Sequence, residues 1–181
     1  ADFGSADVIL AAVSGGRDSL ALVLALSVLA QRGDLGSVVI GHVNHHVRAE
    51  SDQEAAHVRA FGERMGLPVA ECHLPMDADR RPAQLRAQRY EALTDMARAW
   101  QATGIATGHH AQDQLETILL ALVRGAGPVG LGGMPRVRPL HGEIALVRPM
   151  LACTREDAAM VCGLAGVAWC DDPSNDSSES L

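Results

Sequence analysis

Not one lysine occurs in the 181 residues; all 15 basic side chains are arginine. A Walker-type loop, G-x-x-x-x-G-K-[ST], is therefore excluded, and with it the usual nucleoside-triphosphatase phosphate site. Also missing is any C-x-x-C pair among Cys72, Cys153, Cys162 and Cys170, which argues against a zinc ribbon or a thioredoxin-like redox centre and leaves buried free thiols. No apolar run reaches the roughly 18 residues of a membrane span, and the first residues lack the basic and apolar regions of a signal peptide. No membrane partner and a cytoplasmic location are expected, and the start on Ala1 reads as a trimmed chain or a fragment.

The net charge of −7 counts against a nucleic-acid partner. Its distribution weakens that objection. Residues 171–181 hold Asp171, Asp172, Asp176 and Glu179 and no arginine, so the remainder carries 15 basic against 18 acidic residues. Arginine also suits bidentate phosphate contacts better than lysine. With 48% hydrophobic and 20% charged residues, the length suffices for one well-buried domain and is short for two. Residues 1–170 are expected to form that domain and 171–181 an acidic, disordered tail.

The most informative stretch is Ala12-Val13-Ser14-Gly15-Gly16-Arg17-Asp18-Ser19. Val8 to Val13 has the β-branched character of a buried parallel strand, and a Leu/Ala-rich helix follows Asp18. Gly15 and Gly16 free the backbone to approach a ligand, while the start of a helix aims unpaired N–H groups and partial positive charge at it. An oxyanion fits there. The bland alternative is a glycine turn in which Asp18 or Ser19 caps the helix.

Further strands are expected at Ser37 to Val43, Val69 to Leu74, Ile105 to Thr107 and Ile144 to Val147, with helices between them. The fold class is α/β: a doubly wound, mainly parallel five-stranded sheet with helices on both faces and a nucleotide at its carboxyl edge. Asn44-His45-His46-Val47-Arg48 forms a polar loop at that edge, and Ser51-x-x-Glu54 opens a helix with the stripe Ala55, Val58, Phe61 and Met65. Pro75 to Pro82 reads as a polar connection, and the helix after it, running to about Gln101, turns Leu85, Leu93, Met96 and Trp100 inward. Arg89 shares that face, beside Arg86 and Tyr90, either as a snorkelling stem or as a ligand contact.

After Gly108-His109-His110, a helix from Ala111 to Val123 carries the core stripe Leu115, Ile118, Leu119 and Leu122. Asp113 and Glu116 lie on its opposite face, either favoured by the helix dipole alone or directed with His110 into the cleft to hold Mg²⁺ or a substrate amine. Arg124 to Pro139 reads as a mobile glycine-rich surface loop with Arg124, Arg136 and Arg138 available for phosphates. Its Gly125-Ala126-Gly127-Pro128-Val129-Gly130 matches G-x-G-x-x-G only formally, because it follows a helix and contains a proline. A last helix starts at Thr154-Arg155-Glu156-Asp157 and closes at Gly166.

Ser-Gly-Gly-x-Asp-Ser after a strand resembles the pyrophosphate loop of the N-type ATP pyrophosphatases. With it, His42 to Arg48, Arg86-Ala87-Gln88-Arg89-Tyr90, Gly108 to Thr117, Arg124 to Gly127, Arg148-Pro149 and Asp172-Pro173-Ser174-Asn175 resemble, in order, the N-terminal catalytic domain of tRNA(Ile)-lysidine synthetase. The resemblance implies adenylation by ATP of the wobble-cytidine C2 oxygen in a CAU-anticodon tRNA(Ile), with pyrophosphate released. Free L-lysine then attacks C2 and AMP leaves. It further implies Ser14, Gly15, Gly16, Arg17, Asp18, Ser19, Val43 and Gly108 at ATP, and Asp18, His45, Arg48, His110, Asp113 and Glu116 in catalysis. Asp18 and Asp113 would hold Mg²⁺, and Arg86, Arg89, Arg124 and Arg148 would hold phosphate or tRNA. The resemblance stops at the catalytic domain, so the family's C-terminal tRNA-binding domains are expected to be absent from these 181 residues, and the oligomeric state, a homodimer among the options, stays open. One departure is Gln112, where the family has the first of two successive aspartates. Alternatives are another enzyme of the superfamily, such as a tRNA thiolase or a glutamine-dependent synthetase, and an ATP-binding module without turnover.

Overall fold

The computed structural model describes residues 3–44, 51–75 and 81–170; His45, Arg48 and the tail 171–181 lie outside them. Strands β1 (Val8–Ala12), β2 (Ser37–Asn44), β3 (Val69–His73), β4 (Gly104–Thr107), β5 (Val137–His141) and β6 (Ile144–Val147) form one sheet in the order β3-β2-β1-β4-β6-β5. All pairings are parallel except β5 with β6. Helices α1 (Arg17–Gln31), α2 (Ser51–Met65), α3 (Pro82–Ala99), α4 (Ala111–Val123) and α5 (Arg155–Leu164) complete the chain.

The period-two geometry of a strand divides the core in two. Ile9, Ala11 and Val13 point to the layer that holds Leu20 and Leu22 of α1, Val58 and Phe61 of α2, and Ala158 and Cys162 of α5. Leu10 and Ala12 point to the opposite layer, against Leu93 and Ala97 of α3. Both faces of the central strands are therefore dry, which is why they read as continuous apolar runs.

Four expectations need correction. The sheet has six strands, because Val137–His141, read from its Gly/Pro surroundings as loop, pairs antiparallel with β6. Pro139 is tolerated there because β5 is an edge strand, and Gly142, at φ 59°, makes the turn into β6. The preceding segment is pinned rather than mobile: Gln114 accepts from the Met134 N–H (2.7 Å) and donates to its carbonyl (3.2 Å), and Gly130–Gly132 forms a 3-10 turn. Trp100, expected inside, is 42% exposed, since α3 ends at Ala99 and the ring lies beyond the sheet-packed turns. Most consequentially, α4 has no buried residue at all, and Leu115, Leu119 and Leu122 are each half exposed or more. The 3.6-residue period correctly marked a helix but did not say what its apolar stripe packs on.

Candidate active site

In an open parallel sheet, ligands bind where the strand order reverses, outside the carboxyl ends. Here that point lies between β1, whose other neighbour is β2, and β4. The Ser14–Gly16 loop follows β1 and Gly108-His109-His110 follows β4. The two are in direct contact: a Cβ on Gly108 would lie 2.9 Å from the carbonyl oxygen of Asp18 and 3.1 Å from the Ser19 nitrogen. Only glycine lets the end of β4 rest against the first turn of α1.

The loop is built to leave the helix end open. Gly15 adopts φ 92°, and the N-cap residue Gly16 offers no side chain, so no side-chain hydrogen bond caps α1. Ser19 does not fill that role. Its hydroxyl donates to the Gly16 carbonyl (2.7 Å) and accepts from the Ser14 N–H (3.2 Å), stitching the loop to itself. Ser14 Oγ accepts from the Gly16 N–H at 3.4 Å. His42 secures the approach strand through Nδ1 and the Val13 carbonyl (2.8 Å), while Val43 packs against the α3-side core. From the far end of the chain, the Cys170 N–H donates to Gly15 O (3.1 Å) and the Arg17 guanidinium lies 5.9 Å from the Trp169 ring centroid. That strap was not anticipated from sequence, since nothing local relates residues 15 and 170.

Facing the loop, His110 is 2% exposed, with Nε2 3.5 Å from Asp18 Oδ2 and Nδ1 3.4 Å from Asp113 Oδ2. Asp113 also accepts the His110 N–H at 2.8 Å, which caps α4. The contact with Asp18 raises the His110 pKa, opposed by burial and assisted by Asp113. Burial pushes Asp18 up, but His110, Arg17 and Arg155 together bring it below the ordinary value. Asp18 Oδ1, Arg17 Nε and His110 Nδ1 are buried and make no hydrogen bond, although Arg17 Nε and Asp18 Oδ1 form an ion pair at 3.6 Å, so charged groups line the cleft with hydrogen-bonding capacity unused.

A pH dependence follows from these directions. The pair's contribution is complete between 3.8 and 6.5, the ordinary values of Asp18 and His110. It is lost as pH falls through the lowered Asp18 pKa, and lost as pH rises through the raised His110 pKa. Thermal unfolding between pH 6 and 9 is therefore expected to show a declining midpoint that His110→Gln flattens; an unchanged slope in the variant would assign the dependence to other groups.

A basic cluster lies on the α3 side of the cleft. Arg86 and Arg138 both lie over the ring of Tyr90, at 5.5 and 5.4 Å from its centroid. Arg138 and Tyr90 carry as much of this arrangement as the arginines singled out from sequence, and only the pairing of β5 reveals it. Arg148 is 3% exposed and donates to the Pro135 carbonyl at 2.8 Å, so one arm of its guanidinium anchors the adjoining loop. His109 beside them is pulled to about 4 by burial and by Arg148, leaving it neutral at neutral pH, with Nδ1 2.8 Å from Thr107 Oγ1. Two successive histidines thus hold opposite charge preferences. Arg89 and Arg124 are exposed, as is Glu116, which takes no part in the Asp18–His110 contacts.

Gln112 accepts from the Arg155 N–H (3.2 Å) and approaches Glu156 through its amide nitrogen (3.4 Å), joining the starts of α4 and α5. An aspartate could accept the first bond but not donate the second. Among the described residues, no three His, Cys, Asp or Glu side chains cluster as a metal site, and no helix is long and apolar enough to cross a membrane.

Comparison with solved structures gives the fold. A U34-tRNA thiolase, NcsA from Methanococcus maripaludis with its 4Fe-4S cluster, superposes with a TM-score of 0.78 at 14% identity, over 99% of this chain and 62% of that one. An NH3-dependent NAD synthetase from Campylobacter jejuni gives 0.53 at 14% identity, over 90% and 65%. In sequence, the tRNA(Ile)-lysidine synthases of Salinispora arenicola and Novosphingobium aromaticivorans are 42% and 41% identical, over 92% and 91% of this chain. The chain spans about half the length of each, 50% in both cases. A family model described as a PP-loop domain matches residues 2–180. With its strand, glycine loop and open helix end at the switch point of a parallel sheet, the chain belongs to the PP-loop domain family.

Proposed function

We propose that this domain cleaves ATP between its α and β phosphates to activate the C2 oxygen of the wobble cytidine in a CAU-anticodon tRNA(Ile), and directs free L-lysine to that carbon. The observation that carries the reading is the uncapped start of α1 within the Ser14–Ser19 loop, set against His110 and Asp18. The relatives' printed name, tRNA(Ile)-lysidine synthase, supports the choice of substrate.

In the first step the cytidine oxygen forms a bond to the α-phosphorus and pyrophosphate leaves. The loop N–H groups, the Ser14 hydroxyl and the Arg17 guanidinium would hold that developing charge. His110, whose pKa the Asp18 contact raises, adds positive charge across the cleft when protonated. In the second step a lysine amine bonds to C2, AMP departs with its oxygen, and the amine proton is lost. Neutral His109, just past the end of β4, and the Asp113 carboxylate oxygen that does not accept the His110 N–H would hold the amine. Positioning supplies much of the rate.

Asp18 fits a phosphate-bound Mg²⁺, because its Oδ1 makes no hydrogen bond and has only the Arg17 guanidinium at 3.6 Å, whereas Asp113 is occupied in capping α4. Bound there, the ion would neutralise phosphate charge. Arg86, Arg89, Arg138 and Tyr90 offer phosphate contacts and a stacking surface for tRNA, and Arg124 a further exposed cation. A cytoplasmic homodimer completes the reading.

Two cysteines favour a second reading, a tRNA thiolase. The Cys162 thiol donates to the Arg17 carbonyl at 3.6 Å, and Cys170 Sγ lies 3.9 Å from where a Gly15 Cβ would stand, so sulfur does border the loop. Burial pushes the Cys162 thiol up, away from a reactive thiolate. Product analysis decides. With ATP, lysine and tRNA, the expected products are AMP, pyrophosphate and lysine-modified tRNA. ADP would overturn the reading, turnover with a sulfur donor in place of lysine would establish thiolation, and ATP binding without turnover would establish a regulatory module.

A further inference from the structure

Arg155, the first residue of α5, is a cation where a helix disfavours one, since the free N–H groups of a helix start attract carboxylates instead. Its neighbours do not neutralise it. Asp157 closes the capping box with Thr154, and Glu156 accepts from the Gln112 amide at 3.4 Å. Among the described residues the Arg155 guanidinium makes no hydrogen bond or ion pair, and its Nε is buried.

The fold carries this side chain over the phosphate loop. β1 and β6 both run parallel to β4, so α1 and α5, which follow them, start at the same edge of the sheet. Ala158 and Cys162 of α5 are buried in the layer that holds Leu20, and Arg155 shares their face at i, i+3 and i+7 spacing. The Cys162 thiol lies 3.6 Å from the carbonyl of Arg17, the first residue of α1. Arg155 precedes Cys162 by two helical turns, about 10 Å along the axis, and so overhangs the start of α1 and the Ser14–Gly16 loop. Two bonds fasten the overhang to the α4 side of the cleft. The Ala111 N–H donates to the Cys153 carbonyl at 2.8 Å, and the Arg155 N–H donates to Gln112 Oε1 at 3.2 Å. Arg155 is near enough to lower the Asp18 pKa and to oppose the rise of the His110 pKa. Asp18 does not need it as a partner, having Arg17 Nε at 3.6 Å and His110 Nε2 at 3.5 Å. Positive charge is in excess around this carboxylate, and a bound anion would relieve it.

We propose that Arg155 is a second cationic arm of the phosphate site, contacting the β- and γ-phosphates of ATP from the α5 side while Arg17 does so from the α1 side, and that Gln112 is the positioning residue that fixes it there. A guanidinium suits the role because its planar fork bonds two phosphate oxygens at once. The arm rests on the reading that the Ser14–Ser19 loop holds the polyphosphate of ATP, and it is independent of lysine and tRNA.

Calorimetric titration of the full chain with inorganic pyrophosphate, magnesium present, and separately with AMP tests it. Arg155→Gln should weaken pyrophosphate binding by about 10–100-fold, the loss of charge-assisted hydrogen bonds, and Arg155→Lys should recover part of it. AMP, which lacks both outer phosphates, should bind each variant as it binds the wild type. Gln112→Ala should weaken pyrophosphate by about threefold or more, and adding it to Arg155→Gln should cost nothing further, because it acts through the arginine. The unfolding midpoint of Arg155→Gln should not fall, since a cation leaves a helix start. Unaltered pyrophosphate affinity in Arg155→Gln, an equal loss of AMP affinity, or a midpoint lowered by several degrees would each overturn the assignment, and additive losses in the double variant would remove Gln112 from it. A wild-type chain that takes no pyrophosphate would overturn the proposed function together with this arm, whereas tight wild-type binding untouched by Arg155→Gln defeats the arm alone.

Discussion

Replacing Gly108 by alanine is expected to cost about 1–3 kcal/mol of stability and to reduce pyrophosphate release by about 100-fold. The reason is steric. The new methyl would stand 2.9 Å from the Asp18 carbonyl oxygen and 3.0 Å from its carbon, both backbone atoms that cannot rotate away. Either β4 or the start of α1 must move, and the movement separates His110 from Asp18. The unfolding midpoint should fall by roughly 2–4 °C for each kcal/mol lost. Gly127→Ala, at a position where a Cβ meets nothing within 4 Å, provides the control and should change neither quantity. Full activity in Gly108→Ala would show that the β4 end and the phosphate loop need not touch.

The second large effect is expected at Asp18. Asp18→Asn keeps the shape of the side chain and removes its charge, and pyrophosphate release should drop by about 10²–10³-fold while the circular dichroism spectrum stays unchanged. The substitution also removes the contact that raises the His110 pKa, so the decline of stability on raising pH should shrink along with activity. Ser14→Ala, which deletes the hydroxyl that accepts from the Gly16 N–H, should abolish pyrophosphate release through disorder of the loop. Normal release in both variants would place the chemistry elsewhere on the domain.

Several features of the site were legible in the chain because their causes are local. Two adjacent glycines between a β-branched run and a Leu/Ala run permit little other than a tight loop ahead of a helix. The alternation of strands and helices then brings successive loops to one edge of a parallel sheet. The helix bounds Ala111–Val123 and the strand bounds Ile144–Val147 came out as read for the same reason. Arg148 shows the limit. Its sequence context is that of a cation at a strand end, yet the fold buries it and commits it to the Pro135 carbonyl, in the segment that leads into β5. Arg138, which the same context made an available surface cation, instead lies over Tyr90, 48 residues away in sequence.

The sequence by itself determined where the backbone turns, where it pleats and where it coils. Those choices depend on glycine torsions, side-chain branching and hydrophobic period, which act over a few residues. Tertiary structure alone decided which charged groups meet and which apolar faces are covered. His110 pairs with Asp18, Gln112 bridges to α5, and Cys170 straps the phosphate loop because segments distant in the chain arrive there. The stripe of α4 carries the same period as a core helix and yet stays exposed, because burial belongs to the pair of surfaces that meet and cannot be read from one of them.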